Sequence, residues 1–155
     1  DAVAGVFGAE RVGVRIAPFG KSNGMLPDEN AEETFLYVAG ELSRRGAAYI
    51  HVVLGFPDPV VPREFLAKLR HEFKGTLMVN SRLTQEKAER MLEEDAADLF
   101  AFGTLFISNP DLPERFKNHL PLAEADRKTF YGGDAEGYTD YPAYPSFGAE
   151  PQIGE

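Results

Sequence analysis

The amino-acid sequence predicts an α/β fold built on a parallel sheet. Three observations lead to this: short apolar segments alternate with amphipathic helical segments, glycine or proline separates many of them, and each spacing leaves room for a helical crossover. Strands that alternate with helices in this way are joined by right-handed crossovers and lie parallel. Four such units fit an open sheet or half of an eight-stranded barrel, and the pattern alone leaves both open.

The first two units lie in the amino-terminal half of the chain. A short strand is predicted over 12–16, and apolar residues at helical spacing predict a helix from Glu32 to Arg45, which Gly46 ends. The segment 49–54 is apolar on both faces, which is typical of a parallel strand buried on both sides.

The remaining units follow the same alternation. The predicted elements are a helix over 63–73, a strand over 76–80, a helix over 85–94, a strand over 98–102 and a short helix over about 113–118. Thr84 is a good N-cap for the second of these helices. The sequence Asn109-Pro110-Asp111 is interpreted as the cap of the short helix, which makes it a structural device.

Length and composition bound the organisation of the chain. Its 155 residues are too few for a complete barrel, which needs roughly 200–250. Residues 1–131 are predicted to form the folded body, and residues 132–155, rich in Gly, Pro, Tyr and acidic side chains, an extended carboxyl-terminal tail. The amino terminus lacks a basic segment and an initiator Met, so the sequence is expected to start within a fold and to carry no signal peptide.

The charge and the rare residue types exclude several classes of function. A formal net charge of −9 disfavours nucleic acids and anionic membranes as partners. The chain has no Cys, which rules out disulfides and fits a cytoplasmic protein, and no apolar stretch is long enough to span a membrane. His51 is predicted to be a satisfied core residue and His71 and His119 surface residues, and no spacing predicts a metal site.

Three motifs resemble the old yellow enzyme family of FMN-dependent ene-reductases: Gly13 to Gly20, Tyr49 to Val53, and the run from Ala101 to Pro142. The resemblance extends from about Arg11 to Pro142 and falls on the family's second half. It implies the C-terminal half of a TIM (β/α)8 barrel, with roughly four parallel strands and the helices outside. It also implies FMN as cofactor, NADPH or NADH as reductant and an enone as small-molecule substrate.

The resemblance assigns roles to two single residues. Arg15 matches an Arg that points into the barrel and meets the flavin, where a fixed positive charge stabilises the anionic reduced form. The alternative is an Arg that points outward to an acidic neighbour. Tyr131 matches a Tyr of the substrate pocket, and the alternative is a tyrosine that packs beside Phe130.

Two loops are expected to bind the phosphate of FMN, because barrels bind phosphate after their last strands. They contain Asn80, Ser81, Arg82, Gly103 and Thr104. The family pattern has a Gly-rich turn in the first loop and an Arg where this chain has Thr104. We hypothesise that Arg82 replaces the lost charge; the alternative is that Arg82 is an ordinary solvated loop residue.

The family's proton-donor Tyr and its His/His or His/Asn pair, which binds the substrate, belong to the other half of the barrel and match nothing here. We therefore assign no catalytic residue, and whether this chain alone is an enzyme stays open. A half-barrel has unpaired strand edges and should pair with a complementary amino-terminal half or with a second copy of itself. A third possibility is a remnant with neither flavin nor activity.

Overall fold

The computed structural model describes residues 1–21, 24, 28–55, 61–132 and 134–145. The chain divides into two compact units, Asp1–Ala101 and Phe102–Glu155. The boundary after residue 131, drawn from composition, separates the folded body from the tail and stays a prediction.

The first unit contains a four-stranded parallel sheet in which the strands lie in chain order. The strands are β1 (Gly13–Ile16), β2 (Tyr49–Val53), β3 (Thr76–Asn80) and β4 (Leu99–Ala101). The α/β fold with a parallel sheet is therefore confirmed, and β3 begins and ends where the sequence predicts.

Among its described residues, this unit has four α-helices: α1 (Ala2–Phe7), α2 (Ala31–Arg44), α3 (Arg63–Glu72) and α4 (Gln85–Glu93). A short 3₁₀ helix, Ala9–Arg11, follows α1, and neither of these two was predicted. Gly46 follows the end of α2 with a φ of 72°, a conformation that glycine adopts without steric cost. The Thr84 hydroxyl oxygen accepts a hydrogen bond from the Lys87 N–H, so the predicted cap of α4 is confirmed.

The core lies on one face of the sheet. Ile50, Val52, Leu77 and Val79 have no exposed surface, and α3 adds four buried or flanking apolar residues to the same layer: Phe65, Leu66, Leu69 and Phe73. Burying one such side chain contributes about 1.5–3 kcal/mol to folding. The prediction that the second strand is buried on both faces was wrong, because the helices of this unit cover only one face and leave Tyr49 38% exposed.

Asp98 fixes the start of β4. Its Oδ2 accepts hydrogen bonds from the Leu77 N–H at 2.7 Å and from Arg70 Nη1 at 2.8 Å. The bond from Arg70, reinforced by that from Leu77, lowers the pKa of the Asp98 carboxyl below its usual range, while partial burial opposes this. The carboxylate therefore ties α3 to the edge of β3.

The second unit contains two short helices, α5 (Thr104–Ser108) and α6 (Leu112–Lys117), and the 3₁₀ helix Arg127–Thr129. The interpretation of Asn109-Pro110-Asp111 as a helix cap was wrong in detail, since Asp111 precedes α6 without capping it. Asn109 instead is fully buried; its amide donates to the Leu105 carbonyl, and its Oδ1 accepts from the Ala123 N–H at 2.8 Å.

Arg115 holds the segment that follows α6. This side chain is only 5% exposed and donates to Asp111 Oδ1 at 2.7 Å, to the Pro121 carbonyl at 3.1 Å and to the Pro142 carbonyl at 3.0 Å. The other oxygen of Asp111 accepts from the Tyr144 N–H at 2.7 Å. One guanidinium thus contacts the chain at Pro121 and at Pro142, the two ends of the segment 121–142, and we call this arrangement the Arg115 clamp.

The longest helix among the described residues, α2, has 14 residues. None of the helices in that part of the chain is both long and apolar enough to cross a lipid bilayer, for which roughly 20 residues are needed.

Candidate functional site

The face of the sheet opposite the core carries the polar candidates, and we call it the open face. Side chains alternate along a strand, so the neighbours of buried Ile16, Ile50, Val52, Leu77 and Val79 point away from the core. The strand register arranges these residues in three rows across the sheet. The first row is Gly13, Tyr49 and Thr76, the second is Arg15, His51, Met78 and Leu99, and the third is Val53, Asn80 and Ala101.

Arg15 and His51 are register partners on the open face. Arg15 is exposed and makes no ion pair with any residue that the structure describes, which speaks against the alternative of an outward ion pair within this unit. Burial, and then the charge of Arg15, lower the pKa of His51, while the Asn80 side chain acts in the opposite direction. His51 is therefore neutral near pH 7.

Two polar atoms of the open face make no hydrogen bond of good geometry with any described residue, although the two side chains are close enough for Asn80 to act on the pKa of His51. The two atoms are His51 Nε2 and Asn80 Oδ1, and both are buried. The prediction that His51 is a satisfied core residue was therefore wrong for this nitrogen. Buried polar atoms without a partner are rare and costly, so this pair marks the open face as a place where a further group would be stabilised.

The lowered pKa of His51 predicts a pH-dependent stability. Its pKa is about 6.5 in the unfolded chain and lower in the folded chain, so the unfolded state binds more protons as pH falls below about 6.5. The free energy of unfolding should decrease over that range, and His51→Gln should remove this decrease. The measurement is urea unfolding at several pH values between 7.5 and 5.5. His71→Gln, at an exposed position, should keep the decrease; a wild-type slope in His51→Gln would contradict the assignment.

The loop after β3 holds two residues in a backbone conformation that favours glycine. Ser81 has a φ of 112° and Arg82 a φ of 45°. Ser81 is half-buried, Arg82 is exposed, and both line one end of a groove between α3 and α4. The loop thus keeps the geometry of a glycine turn although neither residue is glycine, which costs about 1–3 kcal/mol for each strained residue.

Ser81→Gly is therefore expected to stabilise the chain by about 1 kcal/mol, because relief of the strained φ exceeds the larger entropy that glycine has in the unfolded state. Chemical denaturation measures the change. Ser81→Ala is the matched control, since it removes the hydroxyl and keeps the Cβ atom, and it should give no such gain. Equal effects of both substitutions would mean that the hydroxyl, rather than the backbone, sets the cost.

The candidates of the second unit are all exposed. Gly103 and Thr104 lie at the start of α5, and the Tyr131 side chain is 93% exposed. The exposure of Tyr131 speaks against the alternative of a tyrosine packed within this unit. The roles of Gly103, Thr104 and Tyr131 toward cofactor and substrate stay predictions, as does the replacement of a lost charge by Arg82.

Sequence reasoning missed His51 as a neighbour of Arg15. A signal was present: each is the third residue of its strand, and adjacent parallel strands in register place equal offsets side by side. In the described part of the chain, no group of three His, Asp or Glu side chains is arranged to hold a metal ion.

Comparison with known proteins gives a consistent match. The model of the NADH:flavin oxidoreductase / NADH oxidase family matches residues 1–123. A 12-oxophytodienoate reductase-like protein of Solanum lycopersicum is 42% identical over 144 residues, covering 92% of this chain and 38% of that protein. The 12-oxophytodienoate reductase 2 of Arabidopsis thaliana is 37% identical over 153 residues, covering 94% of this chain and 40% of that protein.

Solved structures match over a similar share of this chain and of their own length. Morphinone reductase in complex with tetrahydroNAD is 46% identical, with a TM-score of 0.88 over 94% of this chain and 39% of that one. The old yellow enzyme from Trypanosoma cruzi is 33% identical, with a TM-score of 0.85 over 93% of this chain and 38% of that one. The chain thus spans about two fifths of the length of the proteins it matches.

Proposed function

Since this chain belongs to the NADH:flavin oxidoreductase / NADH oxidase family, we propose that it is the C-terminal portion of an FMN-dependent ene-reductase that reduces activated C=C bonds with NADPH or NADH. The resemblance to old yellow enzymes is confirmed, and the sheet is part of a (β/α)8 barrel. The observation that carries the proposal is the pairing of exposed Arg15 with neutral His51 on the open face.

The residues of the open face fit a flavin in chemical type. Arg15 offers a cation without an ion-pair partner among the described residues, and His51 Nε2 and Asn80 Oδ1 are buried polar atoms in need of one. A flavin ring presents both hydrogen-bond donors and acceptors along one edge, so it complements such a mixed set. When bound, FMN supplies the carrier that takes hydride from NAD(P)H and passes it to the alkene.

Within this proposal, each candidate residue has a limited task. Arg15 binds the flavin edge and stabilises negative charge on the reduced ring. Asn80 ends β3 and faces the flavin on the open face, so it is not part of the loop. The loop residues Ser81 and Arg82 are assigned to the phosphate, as is the Gly103-Thr104 turn of the second unit, and Tyr131 to the substrate pocket. The resemblance gives none of these side chains the role of proton donor, so within this proposal the proton and the group that binds the activating oxygen come from the complementary amino-terminal half.

Complementation in trans tests the proposal. The chain is purified alone and together with the amino-terminal segment of morphinone reductase, which supplies the part of the barrel that this chain does not match. Visible flavin absorbance and NADPH-dependent reduction of 2-cyclohexenone are then recorded. A yellow and active sample only on complementation supports the proposal. A colourless, inactive mixture that still forms a complex would overturn it.

A second candidate function is a catalytically inactive half-barrel, either a flavin-binding homo-oligomer or a remnant without flavin. Two observations favour it: the strained loop at Ser81 and Arg82, and the neutral, exposed Thr104 where the family pattern has Arg. A yellow chain without any complement would identify the homo-oligomer. Failure to bind FMN in either sample would identify the remnant. The cytoplasmic location stays a prediction under every alternative.

A further inference from the structure

A groove of about 740 Å³ runs between helices α3 and α4, on the side of the sheet that carries the helices. Its floor is apolar and includes buried Leu54, Leu66 and Leu83 together with half-buried Met91. One end is the loop at Ser81, and the other is the turn before β4. The groove therefore follows the length of α4, about 13 Å for nine residues, and its volume lies in the range of small-molecule sites.

The walls of this groove are strongly basic in an acidic chain. Five cationic side chains line it, against two acidic ones: Arg63, Arg70, Arg82, Lys87 and Arg90 against Glu94 and Asp95. The groove thus has a formal excess of three positive charges, whereas the whole chain has a net charge of −9. Such a local reversal of sign concentrates anions.

Two of these cations are not neutralised by an ion pair. Arg63 pairs with Glu94 at 3.1 Å, and Arg70 pairs with Asp98 at 2.8 Å. Lys87 and Arg90 are exposed on α4, and neither makes an ion pair at contact distance within the described part of the chain. The pKa of Glu86, four residues before Arg90 on the same helix, is lowered by a hydrogen bond from Thr84 and to a smaller extent by the charge of Arg90. Lys87 and Arg90 lie three residues apart on one side of the helix, so a single anionic group can contact both.

We propose that the groove binds an elongated organic anion with an apolar body, of the class of medium-chain carboxylates. The hydrocarbon chain lies on the floor formed by Leu66, Leu83 and Met91, and the carboxylate lies between Lys87 and Arg90. A fully polar anion would leave the floor exposed to water, and a neutral lipid would make no charged contact with the two cations. The groove shares Ser81 and Arg82 with the loop proposed to contact the FMN phosphate, whereas Lys87 and Arg90 lie on α4, outside the residues assigned to the flavin, so their substitution tests this proposal separately.

The open face offers a competing surface for an amphiphile, since Tyr49 is 38% and Leu99 46% exposed there. The test must therefore make two separations: first, a charge-dependent site from simple adsorption of hydrocarbon, and second, the groove from the open face.

Titration of the purified chain with decanoate, with 1-decanol as the uncharged counterpart, makes the first separation. Lys87→Glu combined with Arg90→Glu should weaken decanoate binding by about tenfold or more, since two charge-assisted contacts are lost. The double substitution Lys117→Glu and Lys128→Glu changes two exposed cations of the second unit by the same charge and should leave the affinity unchanged. Decanol should bind more weakly than decanoate, and only decanoate should distinguish the two variants. Equal decanoate affinity in both variants would overturn the proposal.

Filling the groove makes the second separation. Ala67 lines the groove on an exposed part of α3, so Ala67→Trp should block the hydrocarbon chain without changing charge or unfolding temperature. Amide shifts in heteronuclear NMR should move at Ala67 and Met91 on addition of decanoate to the wild-type chain. Shifts confined to Tyr49 and Leu99, together with unchanged binding by the Ala67→Trp variant, would place the ligand on the open face and refute the groove.

Discussion

Replacing Arg15 by glutamine should lower the FMN affinity of the complemented assembly by about tenfold to a hundredfold, because one charge-assisted contact to the flavin is lost. The same change should shift the flavin midpoint potential to a more negative value, since the reduced, anionic ring loses a stabilising cation. Flavin fluorescence on release gives the affinity, and a redox titration gives the potential.

Two further variants sharpen the Arg15 prediction. Arg15→Lys keeps the positive charge but lacks the planar guanidinium with its paired N–H donors. Compared with Arg15→Gln, it should therefore regain most of the wild-type flavin midpoint potential and less of the FMN affinity. Arg11→Gln changes an arginine that is exposed before β1 and should leave both quantities unchanged. An Arg15→Gln assembly with wild-type affinity and potential would show that Arg15 does not contact the flavin.

Arg115→Met is expected to release the segment 121–142 and to destabilise the second unit by about 2 kcal/mol, since a nearly buried cation loses three hydrogen bonds to acceptors on three different parts of the chain. Methionine fills a similar volume, so the loss comes from the polar contacts. The Tyr144 amide, which donates to Asp111, should exchange faster with solvent, and proteases should cut within the segment.

Acid should also weaken the Arg115 clamp and so destabilise the second unit. Hydrogen bonding to the Tyr144 N–H, and then to Arg115, lowers the pKa of Asp111 below its ordinary 3.8. The stabilisation is present above pH 3.8 and is lost as pH falls through the lowered pKa. Arg127→Met, at an exposed position of the second unit, is the control and should leave exchange at Tyr144 unchanged. Unaltered exchange in Arg115→Met would mean that other contacts hold the segment.

Much of the fold could be predicted from the sequence because the packed elements have clear periodicity. The helices α2, α3 and α4 differ from their predicted bounds by one residue at most at each end, and β3 agrees at both ends. In contrast, α5 was not predicted: no element was assigned between the predicted strand over 98–102 and the short helix over about 113–118. The last residue of α5 is held by a contact far along the chain, in which the Ser108 hydroxyl donates to the Ala123 carbonyl.

The candidate site was less predictable for two physical reasons. The positive φ of Ser81 and Arg82 could not be read from residue types that normally avoid it, because the surrounding loop imposes that conformation. The burial of β2 was overestimated because apolar residues on two faces do not reveal whether both faces have a covering layer. Arg15 was identified through the family motif, and its neighbour His51 became visible only through strand register.

The Arg115 clamp also affects how much a change in the length of the segment 121–142 costs the stability of the fold. Its two carbonyl acceptors, on Pro121 and Pro142, close a loop of about 20 residues around one side chain, as a crosslink would. The entropy of closing such a loop rises only with the logarithm of its length, so doubling the loop would cost about 0.6 kcal/mol more. While Arg115 is retained, a change in the length of this segment should therefore cost the fold little, and any constraint on the residues around Tyr131 comes from function rather than from stability.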